Sequence, residues 1–265
     1  MIREIDHAES RVRVWLNGKG LQDIDPAVIV LDVAYQVPAI TTQTVDHARY
    51  HGSRVTRQKM GNNTVSISFE IHEYNTAFRQ SIVERVTAWA MSGGVLTTDD
   101  KPGKRLHVVC ITPPSIMSTK GWTNRLTMSF AAFDNPFWED VSPTTLILSG
   151  ASGSGNIYAP GSASDPFVEA DVKPTDTLTS LTLTAGDTSF VLSGISIPSG
   201  KVLTIFYDEK QTLHIERQDT KASFLSKRTA TSDDDLMIER GKFSAVSYTA
   251  NVNCAVTFKA RGLYL

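Results

Sequence analysis

The sequence predicts a mainly β protein, with an N-terminal β domain carrying one packed α-helix and a C-terminal β-sandwich. Three observations carry this. Apolar side chains recur with a period of two, most clearly from Val65 to Ile71. One stretch only, Thr76 to Met91, has a helical period. Near Trp138 the composition changes: all four tryptophans, Trp15, Trp89, Trp122 and Trp138, lie at or before that point, and Ser, Gly and Thr abound after it. The boundary falls at residues 1–140 and 141–265.

In chain order, Ser10 to Leu16 alternates and runs into Asn17-Gly18, a strong turn signal, which predicts a first hairpin. Val28 to Val37 is apolar on both faces for part of its length and reads as a buried strand. Thr41 to Asn63, with Arg49, Arg54, Arg57 and Lys59, is polar and too long for a tight turn, so it reads as an extended arm or loop. From Val65 to Ile71 the odd positions face in, while Ser66, Ser68, Glu70 and His72 face out.

The helix follows. Phe78, Ile82, Val86 and Trp89 are spaced four, four and three apart and form the expected core face, with Arg79, Gln80, Glu84 and Arg85 opposite. Asn75 is the expected N-cap, and Gly93-Gly94 stops the helix. Leu106 to Ile111 and Leu126 to Ala132 complete the first domain as strands. The second leads into Phe133-Asp134-Asn135-Pro136-Phe137-Trp138. A strand that meets a proline and emerges on two large aromatics suits a plug between domains, built from Phe133, Pro136, Phe137 and Trp138. The competing reading is an edge strand whose aromatics are ordinary core.

After a short strand at Thr145 to Leu148, the Gly- and Ser-rich stretch at about 149–164 reads as a flexible link. Beyond it, strand signals recur at Phe167–Val172, Leu178–Leu183, Ser189–Leu192, Val202–Tyr207, Thr212–Glu216, Ala245–Tyr248 and Cys254–Lys259, the spacing of a sandwich.

Charge narrows the function. Lys and Arg number 26 against 28 Asp and Glu. The signs are level up to Asp140, so neither part carries the basic excess of a protein that grips phosphate backbone. No run approaches the roughly 18 apolar residues of a membrane span, so no membrane insertion is expected. The charged first residues do not suit a signal peptide, and synthesis and folding in a cytoplasm are expected. Cys110 and Cys254, one in each part, read as small buried hydrophobes, not a staple.

Sequence motifs for chemistry are weak. Asp233-Asp234-Asp235 lacks the shaped loop of a calcium site and reads as a solvated turn. His47 and His51 have zinc-pair spacing, but on a segment that does not look helical. Gly150 to Gly161 lacks the Lys-Ser or Lys-Thr of a phosphate loop. No serine lies in G-x-S-x-G, so no enzyme is expected and no cofactor or metal site is assigned. A sugar-binding sandwich is the more serious rival, but it favours a tryptophan platform, and every tryptophan lies in the first part.

Taken in order, the parts resemble the distal tail protein (Dit) family of long-tailed, siphovirus-type bacteriophages. The pieces that match are Val65 to Ile71 with the helix after it, the Phe133 to Trp138 junction, Gly161 to Val168, Val202 to Tyr207 with its Asp208 turn, and the terminal strand with Arg261 and Gly262. Arg240-Gly241-Lys242 stands where family members often have a Gly-x-Asn turn. The resemblance implies a galectin-like second domain and a virion protein at the tail tip, forming a homo-hexameric ring. The first domain would touch the tail tube protein on one side and the baseplate hub protein on the other. The second would face outward and hold a receptor-binding protein, while DNA only passes through the channel. The alternative is a carbohydrate-binding adhesion module of a phage tail.

Overall fold

The computed structural model describes residues 12–46, 53–115 and 123–265. The chain divides into two compact units, Met1–Phe137 and Trp138–Leu265.

The first unit is built on the strands β1 (Val14–Leu16), β2 (Lys19–Gly20), β3 (Val28–Gln36), β6 (Asn63–His72), β7 (Gly94–Thr98), β8 (Lys104–Thr112) and β9 (Thr123–Ala132). Their order in the sheet is β2-β1-β7-β8-β9-β6-β3. Strand β6 shows the expected alternation without a break, with Val65, Ile67, Phe69 and Ile71 fully buried. The core face of β9, with Leu126, Met128 and Phe130, lies beside it in register. The sheet curls enough for Tyr35 of β3 to reach β7: its hydroxyl lies 2.9 Å from Thr98 Oγ1 and donates to Asp100 Oδ1 at 2.5 Å. Burial, with the Asp100 carboxylate second, pushes the Tyr35 hydroxyl well above its usual range.

Helix α1 occupies Thr76–Met91, the predicted bounds. Asn75 Oδ1 accepts from the N–H groups of Ala77 and Phe78, and Ser92, followed by Gly93 at positive φ, ends the helix. Ile82, Val86 and Trp89 are buried as expected, and Trp89 meets Phe130 edge to face at 6.1 Å. Phe78 is a correction: it is 65% exposed, while Arg79, expected outside, is buried. The buried side of the first turn is therefore rotated by one residue from the predicted stripe, onto Arg79.

Of the two readings of Thr41 to Asn63, extended arm or loop, the described residues show the arm: β4 (Ile40–Asp46) and β5 (Ser53–Met60) pair as an antiparallel ribbon. The ribbon continues the β3–β6 pair past Pro38, which has no N–H to donate, and Gly61, whose N–H donates to Ala39 O. His47 and His51 lie outside the described residues.

The second unit is a β-sandwich made from one bent sheet. Its strands are β11 (Thr144–Tyr158), β12 (Val168–Pro174), β13 (Leu178–Ala185), β14 (Thr188–Ile197), β15 (Leu203–Tyr207), β16 (Leu213–Arg217) and β17 (Phe243–Ala260). Strand β17 pairs with β11 along one side; on the other side its first half pairs with β13 and its second half with β12. The two half-sheets, β13–β14 and β12–β15–β16, thus share one pair of strands and close over a common core that includes Leu183, Phe190, Val172, Ile205 and Phe258. The corner is at Gly150, φ +122°, where the register shifts. The buried Tyr248 hydroxyl donates to Gly150 O across that corner at 2.8 Å.

Two sequence expectations fail here, for one reason. The stretch at 149–164 is not a flexible link, because Thr144–Tyr158 is a single long strand; and Ala245–Tyr248 and Cys254–Lys259 are parts of one strand, not two. The glycines of β11 serve packing. A Cβ on Gly153 would meet the Tyr248 ring at 2.9 Å, and one on Gly155 would meet the Leu146 side chain at 2.9 Å. Cys254 is buried as expected, whereas Cys110 is partly exposed.

The connection from Gln218 to Lys242 runs along both outer strands of this sheet. Phe224 N–H donates to Ile215 O on the edge of β16. On the edge of β14, Thr229 N–H donates to Val191 O, Ser232 Oγ accepts from Val191 N–H at 2.9 Å, and Asp233 Oδ2 accepts from Ser189 N–H at 2.6 Å. The acidic run is thus partly an edge cap: Asp233 serves the strand, while Asp234 is fully exposed. Replacing Ser232 and Asp233 together by Ala leaves two edge N–H groups without these acceptors. The expected result is a loss of about 1–3 kcal/mol and concentration-dependent self-association, read by thermal unfolding and light scattering; unchanged behaviour in both would refute the capping role.

Candidate functional site

The junction motif divides at its aromatic pair, since Phe137 is the last residue of the first unit and Trp138 the first of the second. On the first side, Asn135 is buried and its Oδ1 accepts from Phe137 N–H at 3.1 Å, a side-chain-closed turn that sets the direction in which the chain leaves β9. Pro136 and Phe137 are half-buried. Phe133 is 53% exposed. Asn135 was not among the expected junction residues, although an Asn-Pro pair is itself a turn signal.

On the second side, Trp138 is buried and begins β10 (Trp138–Asp140), which pairs with β18 (Leu263–Tyr264). Trp138 stands opposite Tyr264 and Glu139 opposite Leu263. Asp140 fastens the pair: its Oδ2 accepts from Gly262 N–H at 3.0 Å and from the Tyr264 hydroxyl at 3.3 Å. The Arg261 guanidinium donates to the carbonyls of Asp140 and Val141. Close approach explains the glycines here. A Cβ on Gly262 would lie 2.0 Å from Pro160 O, and one on Gly161, φ +151°, would lie 2.8 Å from Leu263 O. The first and last segments of the second unit are therefore stitched together where the chain enters it.

Beside this clasp, Glu169 lies among charges. Burial pushes its carboxyl up, while Arg261 and Lys259 pull it back. Lys259 pairs with Asp171.

The ribbon presents two different faces. By register, Ile40, Thr42, Thr44, Val55 and Met60 share one face, and Thr41, Gln43, Val45, Arg57 and Lys59 the other. Ile40 is 62% and Val55 51% exposed, a cost normally offset by a partner surface, and a two-stranded ribbon is marginal by itself.

In the second unit Tyr158 and Phe243 face each other across β11 and β17, rings 5.1 Å apart, and Phe243 is 74% exposed. This is an aromatic surface that a search for tryptophan could not find. Among the described residues no three His, Cys, Asp or Glu side chains gather as a metal site, and no helix is long and apolar enough to cross a membrane.

A Gly262→Ala substitution should disrupt the clasp, because the neighbour it strikes is backbone. A loss of about 1–3 kcal/mol is expected, against a smaller loss for Gly155→Ala, which meets only side-chain atoms of Leu146 and Leu148. Equal melting temperatures for the two variants would contradict the assignment.

No protein-family model matches the chain, and no curated protein matches it. Solved structures do. The Dit protein of phage SPP1, described as a paradigm of the hub adsorption apparatus in phages infecting Gram-positive bacteria, is similar with a TM-score of 0.70 and 12% identity, over 94% of this chain and 98% of that one. A chain of the phage p2 baseplate in its activated conformation with calcium is similar with a TM-score of 0.55 and 8% identity, over 95% of this chain and 97% of that one. In the strontium form the values are 0.55 and 9%, over 94% and 97%. At such identities the likeness is one of fold, and it spans both units: the chain has the fold of the phage Dit protein.

Proposed function

We propose that this chain is a structural protein of a phage tail, placed at the distal end, where it joins the tail tube to the baseplate hub and acts without catalysis. One observation carries the reading: the likeness to SPP1 Dit runs through both units and covers nearly all of both chains. A shared single domain would say far less, because sandwiches serve many functions.

In this reading the first unit forms a homo-hexameric ring around a DNA channel, and the ring assembles in the host cytoplasm. The tail tube protein and the hub protein meet its two sides, and the second unit faces outward, where a receptor-binding protein can attach. A closed ring needs two different patches on each copy. The ribbon of β4 and β5, with its exposed Ile40 and Val55, supplies a surface suited to one of them. Negative-stain electron microscopy of the purified chain should show six-fold rings with a central hole; rings of another symmetry would refute the hexamer, and none, even with tube protein added, the ring.

A second reading, glycan binding by the outward unit, is favoured by the exposed Tyr158 and Phe243 rings, since sugar faces stack on such surfaces. A glycan array probed with the full chain, beside a Phe243→Ala variant, decides it: binding lost in the variant supports an adhesive role, and no binding by the full chain rejects it.

A further inference from the structure

We propose that the outer edge of β11 is a strand-acceptor site, where an extended, uncharged segment of another protein adds to the sandwich along Thr144–Ser149. Strand β11 is 15 residues long, and among the described residues it pairs with β17 alone. Its other edge presents a row of N–H and C=O groups that no strand among the described residues meets. The edges of β14 and β16 are different, because the 218–242 connection covers them. The sandwich thus closes two of its edges with its own chain and leaves the longest one open.

This edge lacks the usual guards. From Thr144 to Tyr158 there is no charged side chain and no proline. The one register shift lies at the Gly150 corner, so Thr144–Gly150 stays regular against Ala260–Cys254. The backbone dictates the kind of occupant, since only an extended strand meets donors and acceptors that alternate at this spacing. The side chains dictate its composition. Leu146 and Leu148 pack against the core but are only half-buried at its margin, and on the opposite face Ile147 is 68% exposed. Apolar residues on an added strand would cover all three. A carboxylate or ammonium in their place would lose water and find no opposite charge on β11.

A second copy of this chain fits less well. Its sandwich has only its own β11 to offer, because its other edges are covered, and its ribbon is assigned above to ring closure. Two β11 strands would meet across a two-fold axis, whereas neighbours in a six-membered ring are related by a sixth of a turn. That exclusion rests on the ring reading above; the open edge does not.

The test is amide hydrogen exchange on the full chain, with a capped synthetic peptide as probe: three Thr-Val repeats with a lysine at each end for solubility. A second peptide has glutamate in place of each valine. Alternate amides of residues 144–149 are expected to exchange fast in the free chain and about tenfold more slowly with the valine peptide, and to be unaffected by the glutamate peptide. Ile147→Lys, a change at an exposed side chain, should abolish the slowing at an unchanged melting temperature. No slowing by the valine peptide at millimolar concentration, or slowing at β14 or β16 instead, overturns the acceptor site. Slow exchange at 144–149 that deepens with chain concentration, with no peptide present, assigns the edge to a second copy and overturns the foreign strand. Micrographs without rings would sink the ring reading alone, since peptide-dependent slowing supports the acceptor site whether or not rings form.

Discussion

Every antiparallel sheet ends in strands whose outer N–H and C=O groups have no neighbour, and the two units of this chain meet that constraint differently. The second unit spends a whole connection on it. Residues 218–242 form little regular structure because their backbone groups are engaged with the edges of β14 and β16. The first unit instead extends one hairpin into a ribbon that, among the described residues, pairs only with itself.

The two faces of the β6–β9 pair make a related point. Side chains alternate, so one register decides both the core and the opposite surface. Phe69 and Leu126 face each other in the core; one position along, Ser68 and Thr127 face each other on the far side. The hydroxyl surface is therefore not independent of stability: a slip by one residue would bury serines and expose phenylalanines. Whatever selects the core also fixes what the far face displays.

Much of this was legible in the sequence. The clean period of Val65 to Ile71 identified β6, and Asn75 with Gly93 bounded α1, because both signals are local. The errors came where a residue's reason lay far away in the chain. Gly153 and Gly155 looked like flexibility, yet they make room for Tyr248 and Leu146. Phe78 fitted the helical stripe, but Arg79 is the residue buried in that turn, and the Phe78 ring stands exposed. Asp140 and Gly262 form a clasp between residues more than a hundred positions apart, which no periodicity can reveal. Of the junction residues, Trp138 has the burial its chemistry predicted and Phe133 does not.

Strand β11 opens the sandwich and β17 nearly closes it, and the two pair along almost their full lengths, from Thr144 with Ala260 to Tyr158 with Phe243. Because both half-sheets hang on this pair, neither can be completed while β17 is missing. Loop-closure entropy must be met across roughly a hundred residues before the central ladder forms. During synthesis the central ladder of this unit stays open until its last long strand has left the ribosome, and because both half-sheets share that strand, its arrival is what lets the sandwich close.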